Sequence, residues 1–568
     1  MTKMKRYLYL LILSIYSISV YSQDSKVDML EELLEKYTDN TPGCAIGVVK
    51  DGEFIYQKGF GMSCLDYSIS NDINTKFFIG SITKQFTGAC IAYLILEEKL
   101  NPNDDIRRYI PEFPFYGDTI RVKNLIHHTS GIQNYELALD LSGIWFDDFY
   151  DDKNHLLKLI INQNNLDFKP NAKFSYSNSN YTLLAEIVKR VSGKPIEMFA
   201  EEKIFKPIGM NNTFYWTISK KVIKERAIGY KIKMNGKYEI NHPYGLPFGS
   251  GNMISTVADL GKWGSFLANQ YNKNTDFIRI FSETCNTKDT DYESAEYAYG
   301  IDILDYRGLL KYEHNGGMLG FCSRIAIYPQ NDLSIIVLGN ISSIPIKPVE
   351  LVLSDYYLKN YFTKGNDHKI SSKPKDLVDF KKELIISLDS VATSKYEGYF
   401  KFGKGYVAEV KRTGHGLSII NCWDNFQYNV YPISDSAFID TVNNVRFVFH
   451  QNENKTIGQL VLQERNGKKH KAVKENIEVL DSEYLDKLQG FYFNSDINVV
   501  YHIYNEEGNL WLRIGNEMPL KLVVENKELI SFFGYEAKII FDDKNQTEGF
   551  KLLKHNFIFS KISTDIEK

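Results

Sequence analysis

Apolar positions follow three different patterns along the chain. Near the start, Val27, Leu30 and Leu34 recur with Met29, Leu33 and Tyr37 at helical spacing, which predicts an amphipathic opening helix. Two apolar runs, 44–49 and 53–56, then flank Asp51-Gly52, a β-hairpin signal. A similar pair, 323–328 and 333–338, is joined through Pro329-Gln330-Asn331-Asp332, and 346–362 reads as a helix. Helical patterns and irregular loops fill 81–270. Strands at both ends with helices between them predict an α/β domain whose sheet is completed by both of its termini.

The pattern changes after 363. Residues 363–376 contain Lys, Ser, Asp and Pro with few apolar residues and read as linker. From 391 onward, short alternating runs of Tyr, Phe, Val and Ile carry little helical signal. They also repeat. Tyr396-Glu397-Gly398-Tyr399-Phe400 matches Leu488-Gln489-Gly490-Phe491-Tyr492, and 446–449 parallels 538–541, both at an offset of 92 residues. Two related antiparallel, barrel-like β units are expected. The expected partition is 1–22, 23–362, 363–390 (linker), 391–478 and 479–568.

Composition narrows the function. A chain of 568 residues exceeds one core, in keeping with several domains. A formal net charge of −4 without a long basic block argues against nucleic acid as a partner. Residues 1–22 stand apart: Lys3, Lys5 and Arg6 precede an apolar run ending at Val20-Tyr21-Ser22, the form of a cleaved signal peptide with Gln23 as mature start. Export to the periplasm or outside the cell is therefore expected, with no stable membrane anchor. The cysteines, Cys44, Cys64, Cys90, Cys285, Cys322 and Cys422, are widely spread without C-x-x-C spacing, so buried free thiols are expected and no metal site. His127 and His128 are adjacent and would not converge on one metal; they read as loop-packing residues.

Ser81 and Lys84 lie three apart at the start of an apolar helical stretch, so they share one helix face. A serine hydroxyl needs a base to become a nucleophile, and a lysine can be that base only where burial or a neighbouring cation lowers its pKa. The pair alone is a common tetrapeptide. Its company is more telling: Tyr176-Ser177-Asn178 follows, then His314-Asn315-Gly316-Gly317 directly before a strand. In this order, with the 125–132 and 249–256 segments, these motifs resemble the serine β-lactamase and penicillin-binding protein family, in the branch of class C β-lactamases, esterases and D-amino-acid peptidases. The resemblance covers about 26–362.

It implies a β-lactamase/transpeptidase-like fold, an antiparallel sheet flanked by helices plus a helical subdomain. It implies Ser81 as acylated nucleophile, with Lys84 and Tyr176 sharing its proton. The backbone N–H groups of Ser81 and Gly317 would form the oxyanion hole, with the missing side chain at Gly317 permitting close approach. Asn178, Gly316 and His314 would contact substrate; His314 stands where many relatives carry Lys, and could donate to Tyr176 or to a substrate carboxylate. No cofactor is implied and no deacylating glutamate is evident. The 249–256 turn reads as structural. The expected activity is a serine hydrolase acting on a small ester, a D-amino-acid amide or a cell-wall peptide. A β-lactamase or DD-carboxypeptidase is the alternative within the fold, and a non-catalytic binder or sensor the alternative outside it.

Overall fold

A computed structural model describes residues 29–143, 153–217, 222–233, 236–243, 247–285, 296–365 and most of 380–562. The expected signal peptide and most of the expected linker lie outside the described residues.

The N-terminal region is built on one antiparallel sheet. Its strands are β1 (Cys44–Lys50), β2 (Glu53–Phe60), β3 (Asp302–Tyr306), β4 (Leu309–Met318), β5 (Phe321–Tyr328) and β6 (Leu333–Gly339), in the order β3-β4-β5-β6-β1-β2. The early strand β1 thus pairs with the late strand β6, from Cys44 opposite Gly339 to Lys50 opposite Leu333. The predicted β1–β2 hairpin turns with both central residues at positive φ, Asp51 at 51° and Gly52 at 82°. That left-handed pair matches the twist of the strands it joins.

β1, β5 and β6 are buried on both faces, which is why they read as continuous apolar runs rather than alternating ones. Cys44, Ile46 and Val48 pack with the opening helix α1 (29–34) and the late helix α6 (Ile346–Tyr357). Ala45 and Val49 face the other core, with α2 (Thr83–Leu96), α4 (Asn178–Ser192) and α5 (Val257–Asn272). The hydrophobic stripe of α1 and the two-residue period of β1 therefore meet on one side, and the helical region packs on the other. No helix among the described residues is long and apolar enough to cross a membrane.

Beneath α6 lies a buried ion cluster. Glu350 is wholly buried and accepts from Lys311 Nζ at 3.0 Å and Arg324 Nε at 3.1 Å. Burial opposes its ionisation, but Lys311 and Arg324 outweigh that and hold its pKa at about 2. The cluster ties α6 to β4 and β5.

The C-terminal half forms two closed eight-stranded barrels, as the repeat predicts. One runs from Gly398–Gly403 to Lys469–Glu475, the other from Gly490–Asn494 to Ile558–Ile562. The repeat is conformational as well as textual. Gly398 and Gly490 adopt φ of 130° and 139°, and Lys474 and Lys561 on the closing strands each donate to the backbone just before them, at Lys395 and Lys487. Phe380, within the expected linker, is buried with its N–H on Asn444, so it packs with the first barrel. Both interiors are filled by side chains. A cavity inside the second barrel, among Tyr492, Leu522, Phe550 and their neighbours, measures about 10 Å³, no more than one water needs.

The barrels join through buried ion pairs: Lys401 with Glu525 at 2.6 Å and Glu536 at 2.7 Å, and Lys521 with Glu409 at 2.7 Å. Cys44, Cys64, Cys90, Cys322 and Cys422 are buried free thiols.

Glu350→Gln leaves Lys311 and Arg324 as underpaired buried cations. Urea unfolding of the variant should show a loss of about 3–5 kcal/mol. A loss within experimental error of zero would mean that the cluster does not hold α6.

Candidate active site

The turn before Ser81 is fixed from two sides. Phe77 and Phe78 pair with Ser255 and Ile254, Ile79 donates its N–H to the Met253 carbonyl, and Ser323 Oγ donates to the Ile79 carbonyl at 2.8 Å. Ser81 then sits in a short 3₁₀ turn, Gly80–Ile82, that leads into α2. This location near a helix N-terminus favours negative charge developing at Ser81.

Lys84, the second residue of α2, has no exposed surface. Its Nζ lies 2.6 Å from Asn178 Oδ1, 2.8 Å from the Ser250 carbonyl oxygen and 3.1 Å from Ser81 Oγ. Burial drives the Lys84 pKa down to about 7, partly countered by the negative charge of Glu136. A neutral amine has two N–H bonds and one lone pair. Asn178 Oδ1 and the Ser250 carbonyl can only accept, so they take both N–H bonds. The lone pair is left for the Ser81 hydroxyl.

The orientation of the Asn178 amide follows from the same bookkeeping of donors. Its Nδ2 donates to Glu136 Oε1 at 2.6 Å, and a carboxylate can only accept, so Oδ1 must face Lys84. Glu136 is in the first turn of α3 (Tyr135–Leu141), whose N-cap Asn134 accepts the Asn178 N–H at 3.3 Å and donates to Glu136 Oε2 at 3.0 Å.

Tyr176 lies across the site with its ring centroid 4.7 Å from Lys84 Nζ. His128, fully buried at positive φ, clasps the segment around it. The His128 carbonyl accepts the Ser175 N–H and its Nδ1 accepts the Ser177 N–H, while its ring lies 4.4 Å from that of Tyr176. Burial and the Lys84 charge push the His128 pKa well down, consistent with a neutral ring accepting at Nδ1. His127 instead reaches the Tyr297 carbonyl at 3.0 Å. The two histidines thus pack separate loops.

Three expectations need adjustment. His314 does not reach out to the cleft: its Nδ1 donates to the Asn315 carbonyl at 2.6 Å and its Nε2 accepts from the Tyr297 hydroxyl at 3.1 Å. Burial and the Lys84 charge drive its pKa down to about 3, so it is neutral at ordinary pH with no proton left for Tyr176 or a substrate carboxylate in this geometry. The tight backbone contacts are at Gly80 and Gly316, whereas Gly317, expected to permit close approach at the oxyanion hole, has open space where a side chain would stand. A Cβ on Gly80 (φ 49°) would meet Gly317 oxygen at 2.6 Å, and one on Gly316 would meet Ile79 oxygen at 2.1 Å, whereas one on Gly317 would meet nothing within 4 Å. Gly316 is therefore a packing residue, and Gly317 opens onto the cleft. The 249–256 turn is not merely structural, since Ser250 supplies an acceptor to Lys84.

A cleft of about 120 Å³ opens over Ser81, lined by Glu136, Asn178, Pro247, Ser250 and Gly317 with their neighbours. Glu136 is the only charged side chain among its described lining residues. It and Ser250 were not singled out from sequence. Asn134-Tyr135-Glu136 signals a helix start, but nothing local says what that start faces.

The family model described as Beta-lactamase matches residues 30–346, more than half of the chain. Protein flp of Staphylococcus aureus (strain N315) is 29% identical over 330 residues, 57% of this chain and 64% of that protein. The chain thus spans just under two thirds of the length of that relative. PbpX of Bacillus subtilis (strain 168), named as a penicillin-binding protein, is 30% identical over 304 residues, 52% of this chain and 70% of that protein. Among solved structures, the octameric penicillin-binding protein homologue from Pyrococcus abyssi superimposes with a TM-score of 0.52 at 22% identity, covering 79% of this chain and 100% of that one. That likeness concerns the fold.

Nuclear magnetic resonance of ¹³C-labelled lysine side chains should show one lysine, lost in Lys84→Met, titrating near pH 7, about three units below ordinary lysines. In Glu136→Gln its midpoint should move lower, because removing the carboxylate charge removes what favours the ammonium. A Lys84 midpoint near that of exposed lysines would contradict the burial argument.

Proposed function

The chain belongs to the beta-lactamase family, and we propose that it is a serine hydrolase that forms its acyl-enzyme on Ser81 with a small ester or amide as substrate. One observation carries the assignment of the nucleophile. The two acceptors on Lys84 leave its third direction to Ser81 Oγ at 3.1 Å. Near pH 7 and above, neutral Lys84 takes the Ser81 proton as Oγ attacks the carbonyl carbon. The carbonyl oxygen becomes an oxyanion, received by the backbone N–H groups of Ser81 and Gly317. The leaving group takes a proton delivered from Lys84 by way of Tyr176, whose ring packs on Nζ. Water then repeats the sequence on the acyl-enzyme and releases the acid.

The cleft also bears on substrate. No cation among the described lining residues is placed for a carboxylate, Glu136 is negative, and His314 is neutral and turned away. This favours an ester or amide without an anionic group beside the reacting carbonyl, such as a D-amino-acid amide, over a β-lactam or the C-terminus of a cell-wall peptide. Action outside the cytoplasm is part of the proposal and is supported by the N-terminal pattern of residues 1–22.

A fluorophosphonate probe should label the wild type at Ser81, located by peptide mapping, and leave Ser81→Ala unlabelled. Lys84→Met should slow labelling by about 10²–10⁴-fold. If the wild type is not labelled and Ser81→Ala retains hydrolysis, the proposal fails. In a panel of p-nitrophenyl esters, D-amino-acid amides, a chromogenic cephalosporin and D-Ala-D-Ala peptides, the first two should be turned over fastest. Faster turnover of the cephalosporin or the carboxylate-ended peptide would overturn the substrate reading.

A further inference from the structure

The second barrel is joined to the same short helix that sets the Asn178 amide. On its inner side, α3 touches the site: Glu136 accepts from Asn178 Nδ2, Asn134 accepts from the Asn178 N–H, and the Tyr135 N–H donates to Ser179 Oγ at 2.8 Å. On its outer side, the same helix turns Leu137, Ala138 and Leu141 into a buried cluster shared with Tyr501, Ile514 and Phe559 of the second barrel. The Tyr501 hydroxyl, from deep in that barrel, donates to the Leu141 carbonyl at 2.7 Å. That carbonyl is at the last turn of the helix, where backbone acceptors lack intrahelical donors.

Further contacts frame the helix. Tyr535 Oη donates to Asp140 Oδ2 at 3.5 Å, Asn164 bonds Asp496, and His555 Nδ1 lies 3.5 Å from Asp167 Oδ2. Partial burial, helped by the charge of Glu136, raises the Asp140 pKa to about 6. A seven-residue helix is too short to hold itself in place. The core of the barrel is packed side chain on side chain and is continuous with the outer face of α3.

We propose that the second barrel is a positioning module for the active site: it grips α3 through Tyr501 and the Leu137–Leu141 face, so that Asn134 and Glu136 hold the Asn178 amide against Lys84. Tyr501 and Leu137 are then positioning residues, acting on Lys84 through α3 and Asn178. Loosening the grip would let Asn178 swing and water reach Lys84, restoring its ordinary basicity. A remote displacement of this kind can slow a reaction substantially, because the reacting groups must be held close to attack geometry.

The inference rests on the assignment of Ser81 and is tested in the full-length chain with Leu137→Asn and Tyr501→Phe. The latter keeps the ring in the barrel and removes one hydrogen bond, so the test survives if Leu137→Asn does not fold. Hydrogen exchange by mass spectrometry follows the amides of 135–141, and fluorophosphonate labelling of Ser81 as a function of pH follows the site. Both variants should exchange faster over 135–141, label about tenfold more slowly, and shift the acid limb of the labelling rate to higher pH. Lys474→Ala, in the first barrel, should change none of these. Wild-type exchange over 135–141 in both variants would overturn the inference. So would faster exchange with an unchanged labelling rate and acid limb. No labelling of the wild type would overturn the Ser81 reading as well, whereas those two results overturn the positioning role alone.

Discussion

A lysine with no exposed surface is the constraint around which this protein is arranged. Burying an unpaired ammonium is costly enough that the group either finds compensating partners or gives up its proton. Lys84 has two obligate acceptors, Asn178 Oδ1 and the Ser250 carbonyl, and a serine hydroxyl in the third direction. The arrangement is matched to a neutral amine. In that state its lone pair is directed at Ser81 Oγ. Four stretches distant in sequence meet there: the start of α2, the 250 turn, the start of α4 and the start of α3.

The same demand explains the neighbourhood. His128 and His314 are both buried close to Lys84, and both are driven neutral by burial and by its charge. Each then works as an oriented hydrogen-bonding ring, His128 holding the Tyr176 segment and His314 holding Tyr297. Glu136 supplies a negative charge beside the amine. It moderates the desolvation of Lys84 and fixes which end of the Asn178 amide faces the amine. That carboxylate is carried by a helix seated on the second barrel, and the first barrel is joined to the second by Lys401 and Lys521. The C-terminal half is thereby continuous, through packed side chains, with the wall of the cleft.

Much of this was legible in the sequence, for local reasons. Asp51-Gly52 could form its turn only with residues tolerant of positive φ. The runs in β1, β5 and β6 were uninterrupted because both faces are covered. The barrels declared themselves by a repeat at a fixed offset, and Ser81 and Lys84 by a spacing that one helix face enforces. Tertiary choices were not legible. Glu136 sits in an ordinary helix start, and its importance depends on where α3 is docked. Ser250 contributes a carbonyl, which every residue has. His314 could have faced either way, and the Tyr297 hydroxyl decided it. Gly316, expected to contact substrate, instead packs against the Ile79 carbonyl, while Gly317 leaves the cleft open.

The most direct test of this account is to trap the acyl-enzyme. The protein is mixed with a slowly hydrolysed p-nitrophenyl ester, quenched in acid at successive times, and analysed by intact mass and peptide mapping. The account predicts one acyl group per chain, on Ser81, formed at a rate that rises with pH through about 7 as Lys84 loses its proton. Turnover without an adduct, an adduct on another residue, or a formation rate indifferent to pH across that range would contradict it.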